Sequence, residues 1–208
     1  MIPKIAKENL AEFIDVFCEV NYFDAEETSM IFEQGMKYGL IPKLHTDQFN
    51  SIGGVGVALK HKAVSVDHLE VLKQKDINRL SGKNTIATLL PGVSYFLDIS
   101  YQPARKLIAN NVPVALATDF NPGSCPTQNI QTIMSLASIE LRMTAEEILN
   151  AVTINAAYAV NRQTKIGSIE IGKQADLLIF DIPSYKFITY NFGVNNVSNV
   201  IKKGRIIK

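Results

Sequence analysis

Short apolar, β-branched runs alternate with polar loops and helical stretches along the first two thirds of the chain. Runs at residues 13–17 (FIDVF), 42–45 (PKLH), 63–66 (AVSV), 86–90 (IATLL) and 112–118 (VPVALAT) read as strands. Several are apolar on both faces, which suits parallel strands buried between layers. Asp24, three residues before Glu27, predicts a capping box that opens a helix to about Tyr38, with Gly39 ending it. Further helical stretches lie at 52–61, 70–80 and 103–109, and the repeated strand–helix order predicts a parallel α/β arrangement. Beyond Asp119 the rhythm changes. Residues 128–141 read as a long apolar helix, and Thr144 with Glu147 forms a second capping box opening a helix to about Val160. Residues 175–180 (ADLLIF) and 200–208 (VIKKGRIIK) read as two strands of an antiparallel sheet, with Gly167, Gly172 and Gly193 in the turns around them. Five βα strands fall short of the eight of a closed barrel, which typically takes about 250 residues. The chain also starts without a cap or an obvious first strand. The expectation is an open sheet or the C-terminal portion of a barrel, whose open parallel edge invites association.

Composition narrows the class. With 47% hydrophobic and 20% charged residues in 208, the chain is expected to be globular rather than disordered. A net charge of +1 without a basic run gives no electrostatic case for nucleic acid or a membrane surface. No apolar stretch approaches the roughly 20 residues of a membrane helix, and Met1-Ile2-Pro3-Lys4 does not open a signal peptide. Cys18 and Cys125 are too few for a disulfide framework or a zinc knuckle. A soluble cytoplasmic protein is expected.

Chemistry in parallel α/β folds sits at the C-terminal ends of strands. PKLH ends at His45, followed by Thr46, Asp47 and Gln48; AVSV is followed by Asp67 and His68; VPVALAT is followed by Asp119, Phe120, Asn121, Pro122, Gly123 and Ser124. Imidazole and carboxylate suit Zn²⁺ or Fe²⁺. Such an ion lowers the pKa of a water to about 7 and polarises a carbonyl, and a neighbouring carboxylate can take the water's proton. Plainer readings compete. A histidine after a strand is often only hydrogen-bonded structure, and Asp119 can be a turn residue before Asn-Pro-Gly. His61 is expected to be solvent-exposed on a polar helical stretch, and Asp47 to be a loop or N-cap residue. No fourth histidine remains as a base for Cys125 if His45 and His68 bind metal. Gly53-Gly54-Val55-Gly56 matches no phosphate-binding fingerprint.

The order of His, His and Asp after successive strands, then a small β module, resembles the amidohydrolase superfamily and, within it, the imidazolonepropionase family. The carrying segments are FIDVFCE (13–19), KLHTDQ (43–48), SVDHL (65–69), LLPG (89–92), ALATDFNPGSCP (115–126), AEEILNAVTINAAYAV (145–160) and GSIEIGKQADLL (167–178). The resemblance covers essentially the whole chain. It implies an α/β fold, the C-terminal part of a TIM-like (β/α)₈ amidohydrolase barrel over residues 1–165, with part of a small β-sandwich module over 166–208. It implies a cytoplasmic hydrolase holding one Zn²⁺ or Fe ion, which converts 4-imidazolone-5-propanoate to N-formimino-L-glutamate and assembles as a homodimer. His45 and Asp119 are then metal ligands. Asp119 also accepts the proton of the attacking water, and His68 hydrogen-bonds or polarises the reacting carbonyl. Asn121 and Gly123 hold the glutamate part of the product, and Ser124 touches the substrate. Two departures stand out. The family pattern His-x-Asp-Glu reads His45-Thr46-Asp47-Gln48 here, so Gln48 keeps a substrate-orienting role without a titratable carboxylate. The family chain is also about twice as long, and its His-x-His metal pair has no counterpart here. Weak turnover by this chain alone is therefore expected. Two other readings stand beside this one: a different cyclic-amide hydrolase or deaminase of the superfamily, and an inactive truncated fragment that associates with itself.

Overall fold

In the computed structural model, which describes residues 1–207, two compact units divide the chain: Met1–Leu89 with Gln102–Val114, and Leu90–Tyr101 with the chain from Ala115 onward. The first unit opens on a short helix, α1 (Ile2–Lys7), which the sequence pattern does not announce because it has no side-chain cap and buries no residue. Strands β1 (Phe13–Cys18), β2 (Ile41–Thr46), β3 (Ser65–His68) and β4 (Ile86–Leu89) follow in turn, separated by helices α2 (Ala25–Lys37), α3 (Gly54–Lys60) and α4 (Gln74–Leu80). They are neighbours in chain order and parallel, and β5 (Val114–Leu116) is the fifth strand of the sheet. Helix α5 (Pro91–Leu97) precedes α6 (Ala104–Ala109), which leads into β5.

The strands differ in how they are covered. β3, β4 and β5 are buried along their length. β1 and β2 instead alternate, with Ile14, Val16, Cys18, Pro42, Leu44 and Thr46 buried and the residues between them partly open. The expected double-sided burial therefore holds for three strands and not for these two, where Asp15, Lys43 and His45 occupy the second face. Helix α2 covers the apolar face with Thr28, Phe32 and Gly35. A Cβ on Gly35 would stand 2.6 Å from Ile14 Cδ1, so the glycine is what lets helix and strand approach. The predicted capping box is present, with Asp24 Oδ1 accepting from Glu27 N at 2.8 Å and Glu27 Oε2 from Asp24 N at 3.0 Å. His61, expected in solvent, is buried instead. Its ring packs edge-on against Phe32, and its Nε2 lies 2.7 Å from Ser29 Oγ. Burial, with Lys60 beside it, holds its pKa below the ordinary value.

In the second unit Asn129 caps α7 (Ile130–Ile139) by accepting from the amides of Gln131 and Thr132. Thr144 and Glu147 form the second predicted box. The single helix expected to reach Val160 is two, α8 (Ala145–Val152) and α9 (Ile154–Ala159), broken at Thr153, whose φ of −119° and ψ of −94° leave the helical region. Among the described residues the C-terminal sheet has three strands where two were expected: β6 (Leu177–Phe180), β7 (Val197–Lys202) and β8 (Arg205–Ile206), all antiparallel, with α10 (Phe187–Tyr190) before β7. The predicted strand 200–208 is cut by a hairpin turn at Lys203 and Gly204, with φ of 51° and 76°, the primed geometry that two-residue hairpins favour. Lys208 lies outside the described residues. Asp176 braces this hairpin. It accepts from Lys203 N at 2.9 Å and pairs with Lys202 Nζ at 2.6 Å, and these bonds hold its carboxyl down to about 2.

Candidate functional site

Parallel register sets Phe17, His45, Asp67 and Thr88 side by side across β1 to β4. The period of two then puts Asp15 and Lys43 on the same face, one step back along their strands. His45 Nδ1 meets Asp15 Oδ1 at 2.9 Å, and Lys43 Nζ lies 3.6 Å from Asp67 Oδ2 while also bonding Ser65. One ligand atom each from Asp15, His45 and Asp67 fall within 4.8 Å of one another. A carboxylate on Nδ1 orients the imidazole and favours the tautomer in which Nε2 is the ligating nitrogen, the arrangement that metal-binding histidines use.

Beyond His45 the chain enters a tight loop. Asp47 has a φ of 55° and is 1% exposed, in keeping with the expected loop position. Burial pushes its carboxyl up to about 6, against the opposing hydrogen bonds from Ser51 and Thr46. Gln48 beside it is buried. The loop is held by Glu19, just past β1. Its Oε2 accepts from Phe49 N at 2.9 Å and Asn50 N at 3.1 Å, and its Oε1 from Val20 N at 2.9 Å. A Cβ at Gly54, where α3 begins, would stand 2.0 Å from Thr46 Oγ1, so this glycine lets the helix close onto the end of β2.

His68 ends β3 in a left-handed conformation, with φ of 84°, and Leu69 follows at 73°. Two such residues in succession, neither of them glycine, are strained. Amides of Leu69 and Val71 donate to the carbonyls of Thr46 and Asp47, stitching this loop to the one after β2. The His68 ring lies 5.4 Å from that of His45 and 6.3 Å from Phe17, centroid to centroid.

The remaining predicted residues are in the second unit. Asp119, with φ of 50°, leads a closed polar turn. Asn121 Nδ2 donates to Asp119 O at 2.7 Å, Asp119 Oδ2 at 3.2 Å and Ser124 Oγ at 2.7 Å, while Asn121 Oδ1 accepts from Gly123 N at 2.9 Å and Ser124 N at 2.8 Å. Ser124 Oγ reaches Asp119 Oδ2 at 3.3 Å. Cys125 is wholly buried and burial raises its thiol pKa, as it does for Cys18, so neither is poised as a thiolate. Within the first unit the structure thus brings His45 and His68 together, and within the second it brings Asp119, Asn121, Gly123 and Ser124 together. Asp15, Asp67 and Glu19 were not singled out as ligand or positioning residues by the sequence reading. The FIDVFCE run that holds two of them was read for its strand and its resemblance only.

Residues 6–207 match the amidohydrolase family. The chain is 49% identical over 208 residues to the imidazolonepropionase of Christiangramia forsetii, covering 100% of this chain and 51% of that one. It is 52% identical over 202 residues to that of Thermoanaerobacter pseudethanolicus, covering 97% and 49%. The chain therefore spans about half the length of the curated relatives it matches. Among solved structures it is similar to a zinc-bound adenosine deaminase from Xanthomonas campestris, with a TM-score of 0.77, 19% identity and coverage of 89% and 49%. It is also similar to the atrazine chlorohydrolase TrzN from Arthrobacter aurescens complexed with zinc, with a TM-score of 0.73, 16% identity and coverage of 91% and 49%. These likenesses give the fold, the α/β architecture of a TIM-like barrel.

Proposed function

From the premise that this chain belongs to the amidohydrolase family, we propose that it supplies half of an imidazolonepropionase. That enzyme adds water across a ring C–N bond of 4-imidazolone-5-propanoate and releases N-formimino-L-glutamate. The carrying observation is identity of 49% along the entire chain to a curated enzyme of that name. In this reading residues 1–165 contribute barrel and residues 166–208 the C-terminal part of a small β-sandwich module. The protein works in the cytoplasm on a small molecule, as a homodimer, with no nucleic-acid or membrane partner.

The donor chemistry fits a divalent metal. His45 has a carboxylate on Nδ1, and Asp119 offers an oxygen donor in a turn that orders it; zinc and iron both suit this set. When bound, the ion supplies Lewis-acid polarisation and a water of lowered pKa. His45 and Asp119 are the residues that would hold it. Asp119 takes the proton of the attacking water and passes it to the departing ring nitrogen. His68 hydrogen-bonds the carbonyl that becomes tetrahedral. Gln48, an amide where the family pattern has a carboxylate, orients the ring without exchanging a proton. Asn121 and Gly123 hold the glutamate portion of the product, and Ser124 contacts the substrate.

The test is a chimera in which this chain replaces the matching half of one of the relatives named above. Turnover of 4-imidazolone-5-propanoate to N-formimino-L-glutamate, with dihydroorotate and cytosine untouched, is the expected result. Turnover of either of those two instead overturns the substrate assignment.

A further inference from the structure

Behind His68 lies a buried polar cluster that the proposed reaction has not used. Glu70 Oε1 stands 3.4 Å from His68 Nδ1 and accepts from Gln102 Nε2 at 2.7 Å. All three residues are buried, at 4%, 6% and 3% exposure for His68, Glu70 and Gln102. Glu70 Oε1 therefore faces two donors, and a carboxylate oxygen in that position leaves the Nδ1 side of the ring as N–H. Glu70 Oε2 and Gln102 Oε1 are buried with no partner among the described residues. A cluster kept only for packing would be better served by apolar side chains. The cluster also sits under the strained corner, where His68 and Leu69 both hold positive φ. Strain of that kind persists only where surrounding contacts over-determine it.

We propose that Glu70, steadied by Gln102, is the positioning residue of this site: it fixes the His68 ring with a proton on Nδ1 and leaves Nε2 as the nitrogen that meets the substrate. The idea deepens the reading of His68 given above and rests on it. Phe17 and His45 limit the ring from its flanks, and Glu70 sets which edge is committed. Nε2 donates to the carbonyl in the doubly protonated ring and accepts in the neutral one, and in both it is the ring atom presented to the reacting group.

Long-range ¹H–¹⁵N correlation of the imidazole nitrogens, on the 208-residue chain at a pH where the rings are neutral, reads the tautomer directly; a His68→Gln chain assigns the signals. The expected result is His68 as the Nδ1–H tautomer. That state is retained in Glu70→Gln, which keeps an acceptor oxygen, and lost to the Nε2–H form in Glu70→Ala. Should Glu70→Ala not fold, Gln102→Ala is expected to shift the population partway. Nε2–H in the unaltered chain, or a tautomer indifferent to both alanine variants, overturns the proposal. In the chimera, Glu70→Ala is expected to lower kcat on the order of 10–100-fold with KM little changed, and Glu70→Gln to recover most of it. A chimera that shows the predicted tautomer but no imidazolone hydrolysis overturns the reaction and leaves the positioning intact.

Discussion

Asp47 keeps its expected loop position but is only 1% exposed. Its carboxyl is carried up to about 6 from an ordinary 3.8, chiefly by burial. Between those two pH values the folded chain keeps a proton that the unfolded chain has released, so stability falls as pH rises through that window. The loss is complete above pH 6 and amounts to about 3 kcal/mol. Asp47→Asn removes it: in urea unfolding, the variant's advantage over the unaltered chain grows from pH 4 to pH 6 and then levels off. A difference that ignores pH contradicts this. The candidate histidines were legible because one strand pattern ends on His45 and another ends two residues before His68, and strand ends are where parallel α/β folds keep their chemistry. Their partners were not. Asp15 lies 30 positions from the His45 it orients, and Glu19 lies 30 and 31 positions from the amides it holds. Such pairings come from strand register and loop closure, which local pattern does not encode.

Elements with local causes were read well. Both capping boxes are self-contained four-residue signals, and both are formed. The Thr144 box stabilises the start of α8, and Thr144→Ala is expected to cost about 1 kcal/mol in thermal or urea unfolding. No loss of stability would mean that tertiary contacts alone fix that helix. Elements ended by tertiary causes were misjudged. Nothing local at Thr153 announces a break, yet the chain must turn there, and Gly167, with φ of 96°, packs against Ala157 and the backbone of Ile154 and Thr153. The Lys203–Gly204 turn was hidden because one glycine after two lysines passes for a polar interruption in an edge strand. His61 was misjudged for a related reason: a polar helical stretch says little about the Phe32 and Ser29 that another helix brings to it.

Across the whole molecule, the architecture follows from parallel strands in chain order, each followed by helix, and an antiparallel sheet at the C-terminal end. Fold class was legible because the β-branched runs recur with helical stretches between them. The uneven cover of the sheet was not, since β1 and β2 carry a charged and polar second face that reads as ordinary alternation. That face holds Asp15, Lys43 and His45, the last being the histidine proposed to hold the metal. The most direct test is the rate of N-formimino-L-glutamate formation by the chimera after chelation and after zinc is restored, compared with the same chimera bearing His45→Ala or Asp119→Ala. Chelation is expected to stop turnover and zinc to restore it. Both variants are expected to stay at least about a hundredfold slower with zinc present, because a ligand's loss exceeds that of a supporting contact. Full activity in either variant, or turnover that survives chelation, would contradict this.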